Sequence, residues 1–381
     1  MPYPAGRQGR TGLGPCLNKM LPMRAAPRLA LALACPLAAA ALLAGCGGDS
    51  DSTGSTAGSD DTAVSRPAPP KSAFPSPEGR TLREVVKDAD NRADLVVSPA
   101  AMVFYEGQNR YPFGVFEPDR TQVPDAEVAL YFAKAPTPKP GAKSKSGNKG
   151  PAAKAQQQAL DAPAIGPFPA SIESLVTQPA FRAKTTSDDP DAASVVYSTQ
   201  IDFPSNGEWG VAALIKEDGE IKGTLLPSAV VGEYDKIPRP GQPAPKIHTP
   251  TSADVGGDLA QITTRIPPDT QNRVDYADAL GKEPIVLLFA TPQFCQSRVC
   301  GPVVDVAEQV KQEYGDKAAF IHMEIFNDND PGKGTRPQVR AFNLPTEPWL
   351  FTVDRQGTVS AAVEGAFGPE LMTSAVKAVS E

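Results

Sequence analysis

The sequence predicts an all-β sandwich followed by an α/β domain, and three observations carry that expectation. From about Leu82 to Val231 the apolar residues come in short alternating runs such as Val128-Ala129-Leu130-Tyr131-Phe132 and Val211-Ala212-Ala213-Leu214-Ile215, the pattern of half-buried strands. Further on, Ile285-Val286-Leu287-Leu288-Phe289-Ala290 is apolar without alternation and is followed by a helical stripe, Val303, Val306, Ala307 and Val310, as expected of a strand covered on both faces and its crossover helix. Between the two lies Ile237-Pro238-Arg239-Pro240-Gly241-Gln242-Pro243-Ala244-Pro245, and 41 Pro with 32 Gly in 381 residues indicate that connections take up much of the chain.

Taken in order, the chain opens with an address. Arg24 and Arg28 precede an Ala- and Leu-rich run from Leu29 to Leu43, long enough for a signal-peptide core and too short for a membrane span. The run ends in Leu43-Ala44-Gly45-Cys46, which resembles the bacterial lipobox. That resemblance implies cleavage after residue 45, lipidation of Cys46 and a protein held by its lipid anchor on the extracytoplasmic face of a bacterial cell membrane. Residues 1–45 are thus read as a signal peptide, and the residues before Met20 carry no such pattern, so translation is expected to start at Met20 or Met23. Residues 46–80 begin with small polar and acidic side chains and are read as a disordered tether.

Residues 81–235 form the expected β-sandwich, with turns at Glu106-Gly107, Ser205-Asn206-Gly207 and Asp218-Gly219. Tyr197 followed by Phe203-Pro204-Ser205-Asn206-Gly207-Glu208-Trp209 resembles a hairpin of extracytoplasmic immunoglobulin-like modules, which implies a core-facing Trp. Residues 136–162, rich in Pro, Lys and Ala, are read as a disordered insertion. Residues 236–272 are read as a Pro-rich linker in extended conformation that holds two independently folding domains apart.

The last domain, 273–381, is expected to contain a helix from Ser297 to Tyr314, a strand from Ala318 to Ile325, and a short helix from Gln338 to Phe342. A hairpin of Trp349–Val353 and Thr358–Val363 and a helix from Pro369 to Val379 close it. Asp275-Tyr276-Ala277-Asp278-Ala279-Leu280-Gly281-Lys282, the strand ending Phe289-Ala290-Thr291, Cys295, and Pro348-Trp349-Leu350-Phe351-Thr352-Val353-Asp354-Arg355-Gln356-Gly357 together resemble TlpA-like thiol-disulfide oxidoreductases of the thioredoxin fold, over about Val274 to Ser380. The resemblance implies an α/β thioredoxin-like domain, Cys295 and Cys300 as a redox pair able to form a disulfide, and Pro348 as the family's cis-proline beside it.

This chain departs from the family in having four residues, Gln296 to Val299, between the cysteines instead of two. Inside a regular helix, that spacing would leave the Cα atoms about 8 Å apart on different faces, beyond disulfide reach. Cys295 is therefore expected ahead of the helix, where unsatisfied N–H groups favour thiolate and Arg298 adds positive charge, with Cys300 inside the first turns as the resolving thiol. The family's buried acid falls on Leu288. His322 and Glu324 alternate onto one face of the neighbouring strand and are the candidate proton relay in its place.

The leading functional expectation is a membrane-anchored oxidoreductase exchanging electrons with exported or envelope proteins. The alternatives are a redox-inert binding or scaffold module with a structural disulfide, and a copper metallochaperone. No His lies between His322 and the C-terminus to complete the copper site. Peroxidase chemistry is disfavoured because Thr291 stands four residues before Cys295. A net charge of -7 without a basic cluster speaks against nucleic-acid binding, and two histidines are too few for a His-based metal centre. No cofactor is expected.

Overall fold

The computed structural model describes residues 63–381 apart from positions 88, 90, 137–150, 218 and 296, with backbone alone at 91, 92 and 151–154. The signal segment, Cys46 and the lysine-rich stretch of the insertion lie outside the described residues.

The first part is built of β1 (Asn91–Arg92), β2 (Val96–Pro99), β3 (Gly107–Phe116), β4 (Glu127–Lys134), β5 (Ile165–Pro169), β6 (Ser171–Ser174), β7 (Val195–Phe203), β8 (Gly207–Glu217) and β9 (Glu220–Val231). Helices α1 (Leu82–Lys87), α2 (Pro151–Leu160) and α3 (Lys184–Ser187) interrupt them. One sheet runs β1-β9-β8-β4-β5 and a second β2-β3-β7-β6, antiparallel except for the pairing of β1 with β9. Alternation sends Phe113 and Val115, Leu130 and Phe132, and Val211 and Ala213 into one shared core, where each fully buried Phe contributes ~2 kcal/mol. Trp209 enters that core against Phe203, ring centroids 5.3 Å apart. Helices α1 and α2 cover the other face of the five-stranded sheet, through Leu82, Val85 and Leu160 against Tyr131 and Leu214.

Three expectations of irregular chain are corrected here. Within the insertion 136–162, residues 151–160 form α2, because Leu160 and Ala159 find an apolar sheet face to cover. In the tether 46–80, Phe74 is buried in the same layer, and Arg66 pairs with Ile172 through both backbone groups. The Pro-rich segment does not act as a spacer: Ile237, Ala244 and Ile247 are buried in the core of the C-terminal part, and Gly241 and Ala244 donate backbone bonds to Val359 and Gly357.

The C-terminal part contains α4 (Tyr276–Ala279), β10 (Ile285–Phe289), α5 (Cys300–Tyr314), β11 (Ala319–Met323), α6 (Pro337–Ala341), β12 (Trp349–Val353), β13 (Val359–Glu364) and α7 (Pro369–Ser380). Asp275 caps α4 by accepting the Ala277 N–H at 3.0 Å. The sheet runs β11-β10-β12-β13, with β11 parallel to β10 and β12 antiparallel to both β10 and β13. β10 lies at its centre, and all five of its residues are buried. Val286 and Leu288 pack under α5 and α7, and Ile285, Leu287 and Phe289 pack against Phe342 and Phe351 on the opposite face.

The two parts lie within one compact unit and are bonded to each other. Buried Glu364 of β13 accepts the N–H groups of Met102 at 3.1 Å and Val103 at 2.8 Å, and the Thr346 hydroxyl at 2.6 Å. Gly365 has φ of 80° and no room for a side chain, because the Ala100 carbonyl stands where its Cβ would be.

Candidate active site: two thiols at the start of a helix

β10 delivers the chain to Thr291, and a turn in which Phe294 N–H bonds Thr291 O at 3.3 Å leads to Cys295. Helix α5 begins at Cys300 with Val299 as its N-cap, three residues later than the expected start at Ser297. The reason is local: Arg298 has φ of 59°, a left-handed conformation that cannot belong to an α-helix. Residues between the cysteines therefore form a loop, and Cys300 opens the helix with Pro302 in its first turn, where a missing N–H is tolerated.

Cys295 and Cys300 are both buried free thiols in this structure. Burial pushes the Cys295 thiol up. Bonds from the Cys300 thiol, the Ser297 hydroxyl at 3.2 Å and the Val299 N–H outweigh it, and the net displacement is below the ordinary thiol value. Cys300 moves the other way, well above its ordinary value, through burial and then through the bond it donates to Cys295. The two thiols are thus displaced in opposite directions, Cys295 down and Cys300 up. Arg298, expected as a positive neighbour, lies near enough for its charge to interact with Cys295 while its guanidinium pairs with Asp189 at 2.7 Å and Asp191 at 3.7 Å.

Pro348 is brought to the same place. The antiparallel register pairs Phe289 with Trp349, so Pro348 sits one step beyond the end of β10, beside the cysteine loop, and the Glu347–Pro348 peptide is cis. Its neighbour Glu347 is the residue that sequence reasoning missed. The negative charge of Glu347 raises both thiols, placing a carboxylate near the pair from the bend that precedes β12. The signal available was its place immediately before the recognised proline.

His322 and Glu324 share a face of β11 but do not form the expected relay to the sulfurs. His322 Nδ1 lies 2.8 Å from Asp269 Oδ2, and Nε2 lies 3.1 Å from the Ala290 carbonyl. Both partners are acceptors, so the ring is a doubly donating imidazolium. Burial lowers its pKa, but Asp269 more than compensates and carries it up to about 9. Glu324 accepts the Thr264 N–H at 2.7 Å and hydroxyl at 2.5 Å. Both residues act on the backbone around the site: His322 holds Ala290, and Thr264 accepts the Gln293 N–H at 3.2 Å.

A cleft of about 500 Å³, lined by Val96, Phe116, Val196, Ser297 and Val299 among others, opens beside the loop. Among the described residues, no three His, Cys, Asp or Glu side chains converge as metal ligands, and no helix is long and apolar enough to cross a membrane.

Comparison with solved structures finds similarity to a thiol:disulfide interchange protein, thioredoxin family protein, from Chlorobium tepidum TLS. The identity is 19%, the match covers 38% of this chain and 98% of that chain, and the TM-score is 0.26. No family model matches the chain, and no curated protein matches it.

Proposed function

We propose that this chain is a thiol-disulfide oxidoreductase of the TlpA-like kind, held by lipidated Cys46 on the outer face of a bacterial cell membrane and acting on exported proteins. The observation that carries the reading is the placement of two free thiols at one helix end, Cys295 in the loop before α5 and Cys300 at its first residue, with cis Pro348 one step beyond the end of β10. The Cys295 thiolate attacks one sulfur of a partner's disulfide, and the other sulfur leaves as thiolate and takes a proton. Cys300 then gives up its proton and attacks Cys295 sulfur, releasing the second partner thiol and leaving a Cys295–Cys300 disulfide. Two thiols are oxidised and one disulfide is reduced, and the reverse sequence oxidises a partner dithiol. The sandwich, which we read as immunoglobulin-like, serves as the platform that seats the redox domain.

The test is Cys300→Ser, which removes the resolving thiol. Mixed disulfides with envelope proteins through Cys295 are expected to accumulate on non-reducing gels, and to be absent from the Cys295→Ser variant. A second reading, the redox-inert binding module, is favoured by the burial of both sulfurs, 7% and 0% exposed. It predicts no trapped partner in either variant.

A further inference from the structure

A partner's sulfur has to reach Cys295, yet what covers both thiols comes from a distant stretch of chain. Ala193 of that stretch shares one apolar cluster with Cys295, Val299 and Cys300, and Leu175 and Val196, which flank it outside the anchors described below, belong to the same cluster. The Ala193 N–H donates to the Arg298 carbonyl at 3.1 Å. Thr186 of α3 crowds the first turn of α5 so closely that a Cβ on Gly301 would stand 2.9 Å from its hydroxyl oxygen.

This cover is fixed firmly at both ends, with the Lys184 N–H also donating to the Ile266 carbonyl at 2.7 Å beside the first anchor, and is held between them by the Ala193 bond and by charged contacts. At one end, buried Asp305 accepts the Ala183 N–H at 3.1 Å and the Arg265 Nε at 2.9 Å, and Arg265 also donates to the Phe181 carbonyl at 2.7 Å. At the other, Gln122 accepts the N–H groups of Ser194 at 2.8 Å and Val195 at 3.2 Å. The charged contacts between those anchors are the pairs of Arg298 with Asp189 and Asp191, whose side chains are 50%, 22% and 52% exposed. Exposed ion pairs of this kind are weak and screened by salt. The left-handed Arg298 backbone costs strain, and that backbone is the conformation in which the Arg298 carbonyl meets Ala193.

We infer that the segment between Ala183 and Ser194 is an autoinhibitory cap, latched by Arg298 to Asp189 and Asp191, which lifts from the Cys295 loop to admit a disulfide partner. The inference rests on the thiol-disulfide reading of the site. Lifting exposes Cys295 and frees the Arg298 guanidinium beside it, while the Asp305–Arg265 anchor and the β7 anchor stay in place as hinges.

The test is the rate at which iodoacetamide alkylates Cys295 in the reduced full chain, located by peptide mass spectrometry and followed across pH. The plateau rate at alkaline pH reports access, and the midpoint reports acidity. Asp189→Ala with Asp191→Ala is expected to raise the plateau about three- to tenfold, the yield of two weak pairs, and Asp189→Glu with Asp191→Glu to restore it. High salt should raise the plateau of the parent and leave that of the double-alanine variant unchanged. Unaltered hydrogen exchange in α5 will show that the fold is kept. Equal plateaus in all three proteins, or a parent rate matching that of the denatured chain, overturn the cap. A faster plateau in a double-alanine variant that, combined with Cys300→Ser, traps no partner would leave the cap standing and remove the oxidoreductase.

Discussion

A thiol in a loop before a helix and one at the helix's first residue share a helix end and little else. Cys295 receives bonds from Cys300, Ser297 and Val299, whereas Cys300 is wholly enclosed. Cys295 should therefore reach half-maximal alkylation below the ordinary thiol value. Cys300 should stay unreactive through that range, and a single shared midpoint would contradict the division of roles. The His322–Asp269 pair works on stability. Its imidazolium has a folded pKa of about 9 against an ordinary 6.5, so its contribution is complete below 6.5 and lost as pH rises through about 9. Asp269 is lowered, so its contribution is present above its ordinary 3.8 and lost as pH falls. His322→Gln leaves a buried carboxylate without its counter-ion and should cost ~3–5 kcal/mol in denaturant unfolding at neutral pH. It should also abolish the alkaline decline between 6.5 and 9.

At the scale of elements, legibility followed periodicity. β10 declared itself because every residue from Ile285 to Phe289 is apolar, and β11 to β13 and α7 were found within a few residues of their observed bounds. The start of α5 was misplaced because a left-handed Arg298 leaves no mark in composition; its carbonyl and guanidinium meet Ala193, Asp189 and Asp191, more than a hundred residues earlier. His322 and Glu324 were legible as a pair on one face, but their partners Asp269 and Thr264 come from a stretch without period, read as linker. Helix α2 was missed for the same reason: its residues are mostly Ala and Gln, and a sheet face alone gives them a place. That dependence is testable. A Cβ on Gly210 of β8 would stand 2.8 Å from the Ala159 Cβ and 3.3 Å from Leu82 Cδ2. Gly210→Ala should therefore push α2 and α1 outward at a cost of ~1–3 kcal/mol. Amide exchange should quicken in those helices and stay unchanged in α5.

At the scale of the whole molecule, the expectation of two separable domains meets a structure in which each part buries residues of the other. The C-terminal sheet takes Val103, Ile237, Ala244 and Ile247 into the layer on one face and Leu175, Ala193 and Val196 into the other. A chain beginning at Thr249 lacks all of them. It should bind a hydrophobic dye and lose near-ultraviolet circular dichroism while keeping helix content, whereas the full chain unfolds in one transition. Cooperative unfolding of the truncated chain would restore the independent-domain view.

Glu364, the carboxyl that ties β13 to the Met102–Val103 segment, is raised by burial from 4.5 to about 7. Parting the two halves would return it to water and to its ordinary acidity, so near pH 6 the act of separation would discharge close to one proton per molecule. The seam between the halves is in that sense an exchanger coupled to the proton activity of the medium. Acid holds it shut, rising pH from 4.5 towards 7 loosens it, and beyond about 7 the coupling ends.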